Sequence, residues 1–170
     1  MNKLIEIIQE ELDKMSAINL ESYYQQHANN KDWLSVLSKF PEELQREIIV
    51  ERPKGDKEDI EEIKQYKLIS PQPISVNTKD VLQSTLSQDN LLSRLPQEVV
   101  DVINQKWGTQ GKTETVYDQN PQRYFEYAKM PASTAKPSVL LNNAIVWGTA
   151  RFVAALLRGD KTLKAWNMRN

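Results

Sequence analysis

The residues with the clearest chemical potential are Gly148-Thr149-Ala150-Arg151, a glycine-led turn that opens a short apolar helix. Free backbone N–H groups at a helix start behind a glycine form a natural seat for an anion. Arg151 sharpens that reading, because a cation in the first turn stands against the helix dipole. A phosphate would offset the conflict and share the N–H groups of Thr149 and Ala150. The competing reading is an internal ion pair of Arg151 with Asp118, Glu126 or Asp160, since buried arginines are normally paired. Arg158 lies seven residues further on, on the same face and roughly 10 Å along the axis. It falls in the last turn, where the dipole favours a cation, so it needs no ligand to explain it.

The elements that must hold this turn surround it. Pro137 sets an extended start, residues 139–141 read as a buried strand, and Asn142-Asn143 suits a two-residue hairpin turn because asparagine tolerates the left-handed conformation. Residues 144–147 return, Gly148 bends the chain, and 149–158 form the helix. Its alanines, Ala150 and Ala154, allow close approach to a sheet. Gly159 stops the helix and 162–166 supply another strand. Ahead of this unit, 112–117 alternate as a strand, 118–121 form a turn, and 122–130 a short helix.

This ordered set resembles the ParB/sulfiredoxin-like superfamily. The matching residues are Asn120-Pro121-Gln122-Arg123, the helix after them, Lys136-Pro137 and its strand, then Gly148-Thr-Ala-Arg151, Ala154-Ala155 and Gly159. The resemblance covers residues 113–168. It implies a nucleotide, ATP or CTP, bound with Mg2+. Gly148, Thr149 and Arg151 would then be phosphate contacts, with Arg123 a second cationic contact and Asn120 shaping its loop. Arginine suits the role because its planar fork holds phosphate oxygens bidentately. The resemblance also implies a phage or plasmid setting and leaves three activities open: nucleotide hydrolase, nuclease or phosphotransferase. A carboxylate base for them would come from Glu126, Asp118 or Asp160. The chain departs from the family where it matters for catalysis. It lacks the cysteine of sulfiredoxins, which excludes thiol repair, and lacks the glutamate and double arginine of partition proteins, having Thr149-Ala150-Arg151 instead.

Upstream, residues 2–15 carry the stripe Leu4, Ile8, Leu12 and Met15 of an amphipathic helix. A second helix covers 20–27, and Asp32 is a candidate cap for 33–37. Two segments echo each other: Leu37-Ser-Lys-Phe-Pro41-Glu-Glu43-Leu44 and Leu92-Ser-Arg-Leu-Pro96-Gln-Glu98-Val99. Each places proline as the first helical residue and glutamate in the first turn, which a duplication or the common chemistry of helix starts explains. Residues 57–67 read as a charge-rich helix with Ile60 and Ile63 inward, and 68–76, with Pro71 and Pro73, as an edge strand at best. Thr78 or Asn77 caps a helix through 86, and a further helix over 96–106 stops at Gly108. The expected organisation is therefore α+β: a mostly helical region over 1–110 and a mixed unit over 111–170.

Composition bounds the rest. The 170 residues carry a formal charge of −1, no cysteine and a single histidine, His27. The lack of cysteine excludes disulfides, thiolate metal sites and a thiol nucleophile; a lone histidine speaks against a histidine-based triad or a His-rich metal site, and no metal-ligand spacing appears. With no signal peptide or long apolar run, a cytoplasmic protein with no membrane partner is expected. Trp147, Trp166 and the tyrosines at 117, 124 and 127 either pack the core or stack a base. Lys161, Lys164, Arg169 and the lysines of 129–136 form a mildly basic edge that nucleic acid could touch. Two functions stand side by side: a nucleotide-binding protein of this superfamily, and a non-catalytic binder of a host protein that keeps the fold without its chemistry.

Overall fold

The computed structural model describes residues 18–114, 120–132 and 136–170. The expected helix over 2–15 and Asp118 lie outside these residues. The architecture is α+β. Eight α-helices surround one mixed five-stranded sheet among the described residues. The helices are α1 (Leu20–Gln26), α2 (Lys31–Leu37), α3 (Glu42–Glu51), α4 (Lys57–Ile63), α5 (Thr78–Gln88), α6 (Gln97–Trp107), α7 (Gln122–Ala128) and α8 (Thr149–Arg158). The strands are β1 (Lys67–Leu68), β2 (Ile74–Asn77), β3 (Ser138–Leu141), β4 (Ala144–Trp147) and β5 (Thr162–Arg169).

β5 is the axis of the sheet. One of its edges pairs antiparallel with both β1 and β2, and the other pairs parallel with β3, whose far side carries β4 in a hairpin. The hairpin turns on Asn142 and Asn143, both at positive φ, as their tolerance of that conformation allows. Between Val139 and Leu140 the register of β4 advances from Trp147 to Ile145, a bulge at Val146. The bulge lets Val146 and Trp147 both reach the same core.

Alternation along the strands feeds a core on each face. Leu140, Leu163 and Ala165 meet α5, α6 and α8, with Phe152, Val153 and Leu156 fully buried. Val139, Trp166 and Met168 meet α2, α3 and α4 on the other face, around Trp33, Leu37, Leu44 and Ile48. Both cores join residues from either side of the expected boundary at 110–111. The upstream strands β1 and β2 likewise belong to the same sheet as β5.

The two echoing segments occupy opposite faces. Pro41 (φ −57°, ψ 152°) and Pro96 (φ −56°, ψ 146°) take the same extended conformation as caps ahead of α3 and α6, one residue before the helix rather than inside it. The buried positions also correspond: Leu37 with Leu92, Phe40 with Leu95, Leu44 with Val99, Ile48 with Ile103. The shared pattern thus runs a full turn beyond the part visible as a sequence echo.

Several local expectations change. Asn30, not Asp32, caps α2, accepting from the Trp33 N–H at 3.4 Å while its amide donates to the Gly55 carbonyl at 2.8 Å. Asn77 caps α5 through the Asp80 N–H. The charge-rich helix stops at Ile63, because β1 begins at Lys67. The expected strand over 112–117 is absent where described. Thr113 donates its N–H to Gln97 Oε1 and its hydroxyl to the Leu95 carbonyl, and the Glu114 N–H goes to Ser93, so these residues strap the start of α6 instead.

Candidate functional site

Gly148 adopts φ +80° and ends β4 directly against α8. A Cβ placed there would lie 2.8 Å from Arg151 Nη2, because the guanidinium folds back over the glycine. In that position Arg151 Nη1 donates to the Pro137 carbonyl at 2.7 Å, and Nη2 is bonded to Glu47 Oε1. The side chains of Arg151 and Glu47 are only 11% and 6% exposed. Glu47 comes from α3, outside the three partners expected from the sequence. Its signal was present, however: position 47 falls three residues after Leu44 and one before Ile48, on the apolar face of α3. A charge there requires a buried partner.

The C-terminal end of α8 is built as firmly. Gly159 at φ +78° closes a Schellman turn, with the Gly159 N–H on Leu156 O at 3.1 Å and the Asp160 N–H on Ala155 O at 3.0 Å. The turn brings Asp160 beside Arg158, whose Nε donates to Oδ2 at 2.9 Å. Arg158 Nη1 also reaches the Met130 carbonyl at 3.4 Å.

Arg151, Ala155 and Arg158 share one face of α8, and the small Ala155 leaves the space between the arginines open. The result is a cleft of about 390 Å³ along the flank of the helix. Its other walls bring Lys136, Lys164 and Asp160, together with Ser75, Ser138 and Thr162. Register explains the opening: β3 begins only at Ser138, opposite Ala165, so residues 162–164 of β5 have a strand neighbour on the β2 side alone. A second cleft of about 290 Å³ is lined by Glu47, Pro73, Pro137 and Trp166, among others, and Lys136 borders both. The Glu47–Arg151 pair stands between them.

Of the residues singled out from sequence, Arg151 and Asp160 line the first cleft, whereas Gly148, Thr149, Asn120, Arg123 and Glu126 do not. Asn120 accepts the Gln122 N–H at 3.1 Å across Pro121, the residue that precedes α7. Arg123 lies in the first turn of α7, and Thr149 is exposed. Glu126 bonds Lys129 at 3.0 Å and Gln122 at 3.1 Å. The bond to Lys129, then that to Gln122, hold its carboxyl below the usual carboxylate range. Such a group is a weaker base than a free glutamate. Trp147 and Trp166 are buried in the core of the α3 face, Trp166 also bordering the second cleft.

No protein-family model, curated protein or solved structure matches the chain. The chemistry of the cleft must therefore be read from its own side chains. Four cations, three hydroxyls and one carboxylate suit phosphate oxygens. They suit Mg2+ poorly: Asp160 is the one lining carboxylate and is taken by Arg158. Among the described residues no group of three or more acidic or histidine side chains is gathered to hold a metal. Nor is any described helix long and apolar enough to cross a membrane.

Proposed function

We propose that this chain is a nucleotide-binding protein of the ParB/sulfiredoxin-like type, and that its cleft along α8 holds the ligand's phosphate groups. The observation that carries the reading is the convergence of Lys136, Arg151, Arg158 and Lys164 with Ser75, Ser138 and Thr162 around one opening. The site differs from the helix-start seat that the resemblance implies. Arg151 contributes from the side of α8, and Gly148 serves to let its guanidinium fold back. A phage or plasmid role in nucleotide or nucleic-acid handling follows from the same resemblance.

The test is a thermal-shift panel of AMP, ATP, CTP and GTP at millimolar concentration, with and without Mg2+. Ligand at a hundred times its Kd stabilises by about 2.7 kcal/mol, a rise of several degrees for a domain this size. The rise is expected to disappear in Lys136→Glu/Lys164→Glu. No shift with any nucleotide overturns the reading.

A second reading, a host-protein binder, is favoured by one observation. An open groove of about 640 Å³ between α1 and α3 presents Leu20, Tyr24, Ala28 and Leu34. It predicts a stoichiometric partner whose capture is blocked by Ala28→Arg and unaffected by the lysine double variant.

A further inference from the structure

We infer that the anion suited to the α8 cleft is a dianionic phosphate monoester, a ligand ending in one phosphate, and that a triphosphate chain is the poorer fit. This rests on the cleft being a phosphate site and asks which phosphate. The four lining cations are not equivalent. Arg151 is matched by Glu47 and Arg158 by Asp160, whereas Lys136 and Lys164 have no acidic partner among the described residues. Among the described residues the uncompensated charge is therefore that of two lysines. A phosphate monoester carries about −1.5 to −2 near pH 7, with its second pKa near 6. It matches that surplus, whereas a longer phosphate chain brings more negative charge than the lysines neutralise.

The two arginines still contribute. A guanidinium has five N–H donors, and each arginine spends some on its carboxylate and on a backbone carbonyl, Pro137 for Arg151 and Met130 for Arg158. Held in this way they are oriented in advance, so little freedom is lost when an anion arrives. A volume of about 390 Å³ is also small among ligand sites, which span roughly 300–1,000 Å³.

The experiment is calorimetric titration of the full chain with AMP, ADP and ATP, all without Mg2+, and with inorganic phosphate and adenosine. AMP is expected to bind more tightly than ATP, and no more weakly than inorganic phosphate. Its affinity is expected to fall between pH 7.5 and pH 5.5 as the ester becomes a monoanion. Lys164→Gln, at an exposed position, should weaken AMP roughly tenfold, as one charge-assisted contact is lost. Asp160→Asn frees Arg158 and should shift preference from AMP towards ADP. A reversed order, with ATP tighter than AMP, overturns the monoester inference and leaves the phosphate site standing. Inorganic phosphate tighter than AMP also overturns it. Heats from none of the phosphates remove the phosphate site itself.

Discussion

Glu47 on α3 and Arg151 on α8 form a buried ion pair across 104 residues of chain. Their helices pack on opposite faces of the sheet, and the guanidinium also holds the carbonyl of Pro137, just before β3. The pair thus passes around the end of the sheet and ties one helical layer to the other. Removing one member of such a pair leaves the other charge buried alone. Glu47→Ala or Arg151→Ala is expected to cost about 3–5 kcal/mol. Glu47→Leu/Arg151→Met should recover most of it, since a buried pair is often replaceable by apolar groups. Urea denaturation of the four proteins checks this; single variants within a few tenths of a kcal/mol of the parent would show that water reaches the pair.

Gly148 depends on the same pair. Its φ of +80° disfavours any Cβ, and that Cβ would also displace the Arg151 guanidinium from 2.8 Å away. The left-handed conformation alone costs about 1–2 kcal/mol for an L-residue. Gly148→Ala should therefore destabilise by more than this in the parent and by about this much in the Glu47→Leu/Arg151→Met background. Equal losses in both backgrounds would separate Gly148 from the arginine.

The hairpin, the α8 helix with its glycine stop, and the strand after it were legible because each rests on local chemistry: Asn142-Asn143, Gly148, Gly159 and the alanines between. Asn30 rather than the candidate Asp32 caps α2; both are good capping types two residues apart, and it is the bond to the Gly55 carbonyl that favours Asn30. The site was less legible. Its cleft depends on the late start of β3 beside β5, a matter of register that no local pattern encodes. Glu47 lies far upstream of the unit that the superfamily resemblance covers. What sequence did expose was a misplaced cation. Its partner stood as a charge on an apolar helix face, and pairing the two required knowing that α3 and α8 meet beyond the end of the sheet.

The edge strand β4 yields a prediction that touches neither cleft. The Ile145 N–H has no further strand to pair with, and the Thr85 hydroxyl of α5 accepts it at 3.1 Å. Thr85 is 2% exposed, so water does not replace it. Thr85→Val keeps the shape and removes the acceptor, leaving a buried donor unsatisfied at about 1–3 kcal/mol. Hydrogen exchange at Ile145 is the direct readout: faster exchange there, with the rest of β3 and β4 unchanged, is expected. Unchanged protection would mean that α5 shields the edge by coverage alone.

Tyr66 gives the protein a stability term confined to alkaline pH. Burial, and then the hydrogen bond its hydroxyl donates to Glu62 Oε2 at 3.0 Å, push its pKa from 10.0 up to about 12. Arg52 holds the same carboxylate at 2.8 Å and lies over the Trp147 ring, 6.0 Å from its centroid. Between pH 10 and 12 the unfolded chain has released the Tyr66 proton while the folded chain keeps it, so stability falls as pH rises. The contribution is complete below pH 10 and lost as pH passes through the folded value. Tyr23, Tyr24 and Tyr124 are also raised, chiefly by burial, so the parent will slope for several reasons. The Tyr66→Phe variant isolates one of them. It should be less stable than the parent at pH 8 by about 0.5–1.5 kcal/mol, the usual value of one hydrogen bond. That gap should narrow steadily from pH 10 upward, as measured by urea midpoints at matched pH. Parallel curves to pH 11.5 would mean that Tyr66 titrates alike in the folded and unfolded chains.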